Sequence, residues 1–538
     1  MKGLMMEYPL IIPKILERAR RVYPDSEVVS YHAEGKHVTN WGEFYGRVVK
    51  LMNVLRSLGV KQGDRVATFA WNHNRHLELY YAVPCLGAVV HTLNIRLFPE
   101  QLTYIVNHAE DKLIFVDDTL LAPIEALAGE FKTVEKYIVM GENRNPNTSL
   151  SPVEDYETLM AAADETENFP EIDENQASGL CYTSGTTGNP KGALYSHRAI
   201  YLHTLMACLP DGLSMTDLDT VLPVVPMFHA NAWSVPFNVA MMGARLVMAG
   251  ANVMPDNLVR IINAEQVTLA LGVPTIWNGL LAYMRKSGER IDSVERMIIG
   301  GSATPRSMIE DFKREYDVQV FPAWGMTEMS PLGSTSRITR KMVDWPEEKQ
   351  IDTLVKVGRP GACVEMKVVD DNGKEQPWDG TSTGELLVRG PAVVAGYYNN
   401  KEASQAAITA DGWFRTGDVV SIDEDAIVRI SDRTKDLIKS GGEWISSVDM
   451  ENRIMAMDSV LEAAVVARPD EKWDERPVAF VVPSPGGSGV TPEQVLAALG
   501  DEFANWQLPT LEDIRLIEEL PKTSVGKFDK KLLRQNHL

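Results

Sequence analysis

The sequence predicts an α/β protein: a large N-terminal domain of helix-covered parallel sheets, followed by a small α+β C-terminal domain. Three observations predict this. Short apolar runs alternate with amphipathic helical patterns from 65 to 116 and from 221 to 325, as in parallel sheets covered by helices. Alternating runs broken by Gly, Asp and Asn indicate a small β-barrel-like subdomain at about 355–430. A densely charged stretch at 432–436 then precedes two glycines, where we place the domain boundary.

The first elements follow from hydrophobic periodicity. Apolar residues at helical spacing end at Gly59, a residue suited to stop a helix. Polar residues at 141–176 read as a loop-rich connection. The predicted elements are a helix at 11–19, strands near 27–31 and 36–39, a helix at 41–58, a strand at 65–70, a helix around 77–82, a strand at 88–92, a helix at 99–107 and a strand at 112–116.

The second half of the chain repeats the alternation of strands and helices and then changes to short strands separated by Gly, Asp and Asn. The boundary divides the chain into an N-terminal domain at 1–434 and a C-terminal domain at 435–538. The predicted elements are a strand ending at 181, a helix at 197–209, strands at 221–226, 244–248, 268–271, 296–299 and 318–323, short strands at 364–369 and 385–388, and C-terminal strands at 463–467 and 478–482 with a helix at 491–504.

Composition restricts the functional class. The chain has 538 residues, 44% of them hydrophobic and 24% charged, as in ordinary globular proteins, and it is long enough for several domains. A formal net charge of −21 argues against nucleic-acid partners and against anionic membrane surfaces. Anionic ligands therefore need local positive pockets in an acidic surface.

Cysteine usage and the N-terminus predict a cytoplasmic protein. Cys85, Cys181, Cys208 and Cys363 are far apart and lack metal-ligand spacing, so we interpret them as reduced. The first residues mix charges with apolar side chains, unlike a signal peptide. No apolar run reaches the ~18 residues typical of a transmembrane helix.

The most informative stretch is 182–192, which has three glycines, four Ser or Thr hydroxyls and Lys191. Glycines let backbone N–H groups approach an anion, and hydroxyls and a lysine add donors and charge. This chemistry predicts a loop that wraps a polyphosphate, although no Gly-Lys-Ser/Thr ending makes it a Walker A motif. A flexible surface loop is the alternative.

Together with five further stretches in the same order, this loop resembles the adenylate-forming enzymes, which include acyl-CoA synthetases, luciferases and peptide-synthetase adenylation domains. The sequence pattern of nearly the whole chain is similar to that of bacterial medium- and long-chain fatty acyl-CoA synthetases and of 3-(methylthio)propionate–CoA ligases. Among the six stretches are 182–192, 325–328, 416–418, 432–436 and 521–527.

The resemblance implies a reaction in two halves. A small carboxylic acid attacks the α-phosphate of ATP in the presence of Mg²⁺, and the CoA thiol then displaces AMP from the acyl-adenylate. Neither half needs an enzyme nucleophile, only orientation and charge stabilisation. Ser184 is therefore not interpreted as a hydrolase serine, and it also lacks a G-x-S-x-G elbow.

The resemblance also assigns roles to residues. The catalytic residues it implies are Lys527, His229, Thr327 and Glu328, with Glu328 as the Mg²⁺ ligand. The nucleotide site it implies comprises Thr183, Ser184, Gly185, Thr186, Thr187, Gly188, Lys191, Gly301, Ser302, Ala303, Trp324, Gly325, Met326, Thr327, Asp418 and Arg433. The acyl pocket it implies comprises His229, Trp233, Gly301 and Pro331, and the CoA contacts are Gly441, Gly442 and Trp444. The resemblance also implies that the small α+β C-terminal domain is mobile and rotates about a hinge at Lys435.

Several alternatives stay open. Core packing explains Trp324 as readily as a site does and is the less favoured alternative for Trp233, and a charged linker explains the composition around Lys435. The stretch Phe228-His229-Ala230-Asn231 lacks the aspartate that amino-acid-activating relatives carry, which favours a simple acid. A medium-chain fatty acid competes with 3-(methylthio)propionate. An adenylate former that serves another thiol, a catalytically inactive nucleotide-binding protein and a luciferase-type oxygenase are further alternatives. Relatives of the fatty acyl type also imply a homodimer.

Overall fold

The structure is a computed structural model, and most of the residues that it describes lie in helices or strands. The described residues are 1, 3–33, 35–142, 147–183, 189–433, 436–440, 443–457, 459–470, 472–484, 489–523 and 527–537. Their strands are β1 Glu27–His32, β2 Gly35–Asn40, β3 Arg65–Phe69, β4 Val89–Thr92, β5 Asp111–Asp117, β6 Lys136–Met140, β7 Val153–Asp155, β8 Ala177–Tyr182, β9 Gly192–Ser196, β10 Thr220–Pro223, β11 Arg245–Met248, β12 Leu269–Gly272, β13 Arg296–Gly300, β14 Gln319–Gly325, β15 Leu332–Thr335, β16 Arg359–Pro360, β17 Glu365–Val369, β18 Gly384–Arg389, β19 Phe414–Ile422, β20 Val428–Arg433, β21 Ile438–Ser440, β22 Glu443–Ile445, β23 Val460–Asp470, β24 Asp474–Pro483 and β25 Ile514–Leu516.

Helices cover and connect these strands. They are α1 Ile12–Val22, α2 Trp41–Ser57, α3 Asn74–Cys85, α4 Pro99–Ala109, α5 Leu121–Leu127, α6 Tyr156–Ala162, α7 His197–Cys208, α8 Ala230–Trp233, α9 Val235–Met242, α10 Pro255–Glu265, α11 Pro274–Ser287, α12 Arg306–Tyr316, α13 Glu347–Leu354, α14 Lys401–Ala407, α15 Ser447–Met455, α16 Pro492–Gly500 and α17 Lys530–His537. Within the described ranges, no helix combines the length and apolar character needed to cross a membrane.

Two large sheets form the N-terminal part. One has seven strands in the order β7-β6-β5-β3-β4-β8-β9, parallel except for β9. The other has nine, in the order β16-β15-β14-β13-β12-β10-β11-β1-β2, with antiparallel strands only towards its two edges. The predicted helix-covered parallel sheets are confirmed. Parallel strands with this alternation bring their carboxyl ends to one edge, where ligands gather.

Helix α3 packs between the two sheets, because it contacts β1 of one and β3, β4 and β8 of the other. Every residue of α3 is buried. Its two tyrosines bond to backbone carbonyls near the nine-stranded sheet: Tyr80 Oη donates to Met227 O, and Tyr81 Oη donates to Pro236 O at 2.7 Å. A buried tyrosine needs such a partner, so α3 fixes the chain segment that precedes and follows His229.

The segment after the second sheet forms a smaller antiparallel sheet, β17-β18-β19-β20. The sequence predicted this antiparallel pairing and a barrel-like shape; the strand order is an open path of four strands. The following strands belong to another sheet, β22-β21-β24-β23 with β25 on β24, which has hydrophobic clusters of its own. Sheet membership thus changes between β20 and β21, on either side of the predicted boundary at 434/435.

The polar connection contains more structure than its composition indicates. Residues 153–162 form β7 and α6 rather than a loop. Asp155 caps the helix by accepting a bond from Thr158 N at 2.7 Å, and Tyr156 is buried and donates to Glu78 at 2.5 Å. A helix this short shows too little periodicity to detect from the sequence, and it is stabilised by one cap and one long-range contact.

Candidate active site

Three of the predicted site residues follow the carboxyl ends of parallel strands in the nine-stranded sheet. His229 follows β10, Gly301 follows β13, and Glu328 follows β14. Gly301 has φ +89°, and a Cβ there would lie 3.2 Å from Val273 Cγ1 and 3.8 Å from Lys527 Cε. A glycine is required both by this backbone conformation and by the close approach of its neighbours.

A cavity of about 130 Å³ lies at this edge of the sheet. Three of the four residues predicted for the acyl pocket line it, and so does Lys527, which comes from the C-terminal part of the chain. The residues that bound it include Arg96, Phe228, His229, Trp233, Val273, Gly301 and Lys527. The cavity therefore brings the predicted catalytic lysine to the predicted acyl site.

Pro331, the fourth predicted acyl-pocket residue, does not line this cavity. It packs over Gly325, where a Cβ would lie 2.2 Å from the Pro331 carbonyl oxygen. That carbonyl accepts a hydrogen bond from Met326 N at 3.0 Å. Pro331 and Gly325 thus hold the turn that carries Thr327 and Glu328.

Trp233 reaches the cavity through an unusual turn. Residues 230–234 all have positive φ, between +44° and +65°, so α8 is a left-handed turn. Such a conformation costs roughly 1–2 kcal/mol per residue. It is held by a bond from Ser234 Oγ to Ser330 O at 2.8 Å. The indole lies against Gly300, where a Cβ would be 3.3 Å from Trp233 Cη2.

His229 is electrostatically distinctive. Burial, and secondarily the nearby Lys527, lower the pKa of its imidazole to about 3. The ring is therefore neutral near pH 7, and it adds no second positive charge to the part of the cavity where Lys527 lies.

Asp418 is the centre of a second group. Its carboxylate is buried, accepts a bond from Trp324 Nε1 at 2.9 Å, and pairs with Arg433 Nε at 2.6 Å. Asp418 lies directly opposite Arg433 in the β19–β20 ladder, so strand register sets this pair. Each carboxylate oxygen has a second lone pair, which leaves room for ribose hydroxyl donors. Trp324 also packs closely on Gly333, so it has both the core role and the site contact.

Glu328 lies in a short 3-10 turn after β14, Thr327–Met329. Its Oε1 accepts a hydrogen bond from Tyr397 Oη at 2.7 Å, and Tyr195 Oη donates to Thr327 O at 2.6 Å. One carboxylate oxygen is thus held while the other is available. Mg²⁺ commonly takes one or two carboxylates, with phosphate oxygens and water as its other ligands, and this donor fits that pattern.

The stem of the predicted phosphate loop is closed by two hydrogen bonds. Thr183 N donates to Lys191 O at 2.9 Å, and Lys191 N donates to Thr183 Oγ1 at 3.2 Å. The Lys191 ammonium lies 5.1 Å from the centre of the Tyr397 ring. The loop residues Ser184, Gly185, Thr186, Thr187 and Gly188 lie outside the described residues.

Two further groups of predicted residues follow β13 and lie in β22. Ser302 and Ala303 are exposed just after β13. Trp444 lies in β22 opposite Lys439. Lys435, Gly441 and Gly442 lie outside the described residues, so the hinge and CoA contacts stay predictions.

Sequence reasoning missed two residues at the site, Tyr397 and Arg96. Tyr397 stands in Gly396-Tyr397-Tyr398, a glycine–aromatic signal in a segment without periodicity. Arg96 lines the cavity, and burial lowers the pKa of its guanidinium. In neither stretch does the local sequence indicate what the side chain of Tyr397 or Arg96 contacts.

Comparisons with known proteins match nearly the whole chain. Models of the AMP-binding enzyme family and of the AMP-binding enzyme C-terminal domain match residues 16–398 and 449–527. A medium-chain-fatty-acid–CoA ligase of Ectopseudomonas oleovorans is 44% identical, covering 100% of this chain and 98% of that protein. A 3-methylmercaptopropionyl-CoA ligase of Ruegeria pomeroyi is 44% identical, covering 99% and 98%. The crystal structure of ATP-bound MatB from Rhodopseudomonas palustris has a TM-score of 0.82 at 25% identity, covering 98% of this chain and 99% of that one.

The fold and the site thus define an adenylate-forming enzyme of the acid–thiol ligase class. The chain belongs to the AMP-binding enzyme family. The predicted resemblance to acyl-CoA synthetases of the adenylate-forming superfamily is confirmed.

Proposed function

We propose that this acid–CoA ligase, which uses ATP, Mg²⁺ and CoA, acts on 3-(methylthio)propionate. The acid forms an acyl-adenylate with release of pyrophosphate, and CoA then displaces AMP to give the thioester. The size of the cavity carries the proposal. Because a cavity of ~150 Å³ takes the six carbons of one benzene ring, a cavity of about 130 Å³ holds roughly five non-hydrogen atoms, which suits the short chain of a small acid with its carboxylate oxygens towards Lys527. The similarity to the Ruegeria pomeroyi ligase supports the same substrate.

The arrangement of polar groups supports the residue roles. Lys527 lines the cavity beside the neutral imidazole of His229, where its ammonium can stabilise charge on the carboxylate and the α-phosphate. Asp418 supplies a buried carboxylate acceptor suited to the ribose hydroxyls, and the half-exposed Arg433 pairs with it. Glu328 offers one free carboxylate oxygen to Mg²⁺, which when bound neutralises phosphate charge.

A medium-chain fatty acid is the second candidate, and Trp233 is the observation that favours it. The indole bounds the cavity and lies against Gly300. If it rotates away, the cavity lengthens and accepts a longer chain. The similarity to the Ectopseudomonas oleovorans ligase supports this alternative.

Acids graded by length and sulfur content, assayed with ATP, Mg²⁺ and CoA, test the substrate. We expect kcat/KM to be highest for 3-(methylthio)propionate and for pentanoate, which has the same length. Trp233→Ala should shift the optimum to longer acids. Its kcat/KM should rise by ~4-fold for each added methylene, because a buried methylene contributes about 0.8 kcal/mol. Trp378→Ala changes an exposed tryptophan and is the control.

A flat length profile in the wild-type enzyme contradicts the thioether substrate but leaves the ligase intact. An optimum at octanoate supports the medium-chain alternative. AMP release that is the same with and without CoA indicates transfer to a different thiol.

We also propose that the enzyme is a cytoplasmic homodimer. At the N-terminus, Leu4, Met5 and Met6 are almost fully exposed, which is unusual for adjacent apolar side chains and suits burial against a second copy. Light scattering should give twice the chain mass of 59.8 kDa. Deleting residues 1–8 should shift the equilibrium towards monomer, whereas a monomeric full-length chain contradicts the proposal.

A further inference from the structure

The segment 390–400, between β18 and α14, touches two parts of the predicted nucleotide site. Its backbone binds the turn of Glu328, because Val394 N donates to Glu328 O at 2.9 Å. It also binds the phosphate-loop hairpin, because Tyr398 N donates to Gly192 O at 2.8 Å. A third bond, from Ser330 Oγ to Ala392 O at 3.0 Å, fixes the residue after the 3-10 turn. The segment therefore sets the distance between the loop stem and Glu328.

Tyr397 is the side chain of this segment that faces both parts. Its hydroxyl donates to Glu328 Oε1 at 2.7 Å, and its ring lies beneath the Lys191 ammonium at 5.1 Å. The phenol hydroxyl is the donor of this bond, because an ionised carboxylate oxygen can only accept.

We propose that Tyr397 is a positioning residue for the metal ligand. By holding Oε1 of Glu328 it would leave Oε2 to bind the metal, and its ring contacts the ammonium of Lys191. This inference rests on the proposed role of Glu328. Partners of metal-binding carboxylates commonly change metal affinity by about 10–100-fold when removed.

Tyr397→Phe tests the hydroxyl alone, because the ring, its packing on Phe414 and its contact with Lys191 are preserved. Tyr398→Phe is the matched control, since the hydroxyl of Tyr397, not that of Tyr398, bonds to Glu328. We expect Tyr397→Phe to raise the free Mg²⁺ concentration for half-maximal ATP–pyrophosphate exchange by ~10-fold. The rate at saturating Mg²⁺, the KM for the acid and the Tm should change little.

A direct binding measurement separates positioning from activity. Electron paramagnetic resonance of Mn²⁺ with a non-hydrolysable ATP analogue should show a similar weakening in Tyr397→Phe and none in Tyr398→Phe. In a Glu328→Gln background, adding Tyr397→Phe should have no further effect on metal binding, because the two residues act through one contact.

The outcomes distinguish the two proposals. Unchanged metal binding in Tyr397→Phe, or a lowered Tm as its only effect, overturns the positioning role. If Glu328→Gln itself leaves metal binding unchanged, the proposed role of Glu328 fails, and the inference about Tyr397 fails with it.

Discussion

Replacing Lys527 by alanine should lower the rate of ATP–pyrophosphate exchange by ~10³-fold, since removing a single preorganised charge-stabilising donor costs about 10²–10³-fold. Thr523 N donates to Lys527 O at 2.7 Å, and Lys527 N donates to Thr523 Oγ1 at 3.2 Å, so these two bonds fix the backbone of the lysine that lines the cavity. The neighbouring His229 adds no positive charge beside the ammonium, because the low pKa of its imidazole keeps it neutral.

The second half-reaction should respond much less. Thioester formation from a synthetic acyl-adenylate and CoA no longer involves charge build-up between carboxylate and phosphorus, so we expect a loss below about 10-fold. Lys531→Ala removes an exposed lysine from the same C-terminal tail and should leave both rates unchanged. Equal losses in both half-reactions would show that Lys527 supports the fold or general orientation instead.

The parts of the site that the sequence predicts are those carried by strand ends. His229, Gly301 and Glu328 each follow a strand of one sheet, and the alternation of strands and helices makes that sheet parallel. In a sheet of parallel strands, the carboxyl ends of the strands must meet at one edge. This periodic signal is strong because it repeats over several units.

Contacts between irregular segments are not predictable in this way. Tyr397 and Glu328 are 69 positions apart, and neither segment has a periodicity that would orient its side chains. Pro331 is a second example. The resemblance assigns it to the acyl pocket, and the structure shows that its carbonyl oxygen accepts the hydrogen bond from Met326 N that holds the Glu328 turn. The short helix α6 depends on a cap at Asp155 and on one tyrosine that reaches Glu78. Such features arise from tertiary packing, which local sequence records only weakly.

Asp418→Asn should weaken AMP binding by ~10–100-fold, because hydrogen bonds to charged groups are worth about 1.5–3 kcal/mol. The substitution keeps the size of the side chain but removes the ion pair with Arg433, and an amide can present only one acceptor oxygen. Trp324 Nε1 and a ribose hydroxyl then compete for that oxygen. Calorimetric titration with AMP measures the loss without requiring turnover.

The matched control lies near the same antiparallel sheet. Asp411 pairs with Lys367 at 2.9 Å, its side chain is 62% exposed, and exposed pairs contribute little. Asp411→Asn should therefore leave AMP affinity and Tm unchanged. Asp418→Asn should lower both, and its main effect should be on AMP affinity. If Asp418→Asn lowers the Tm but binds AMP as the wild type does, the carboxylate serves only to hold Trp324 and Arg433 together. The ribose must then be bound by other groups, and the carboxylate of Asp418 in β19 would act only through its bonds to Trp324 and Arg433.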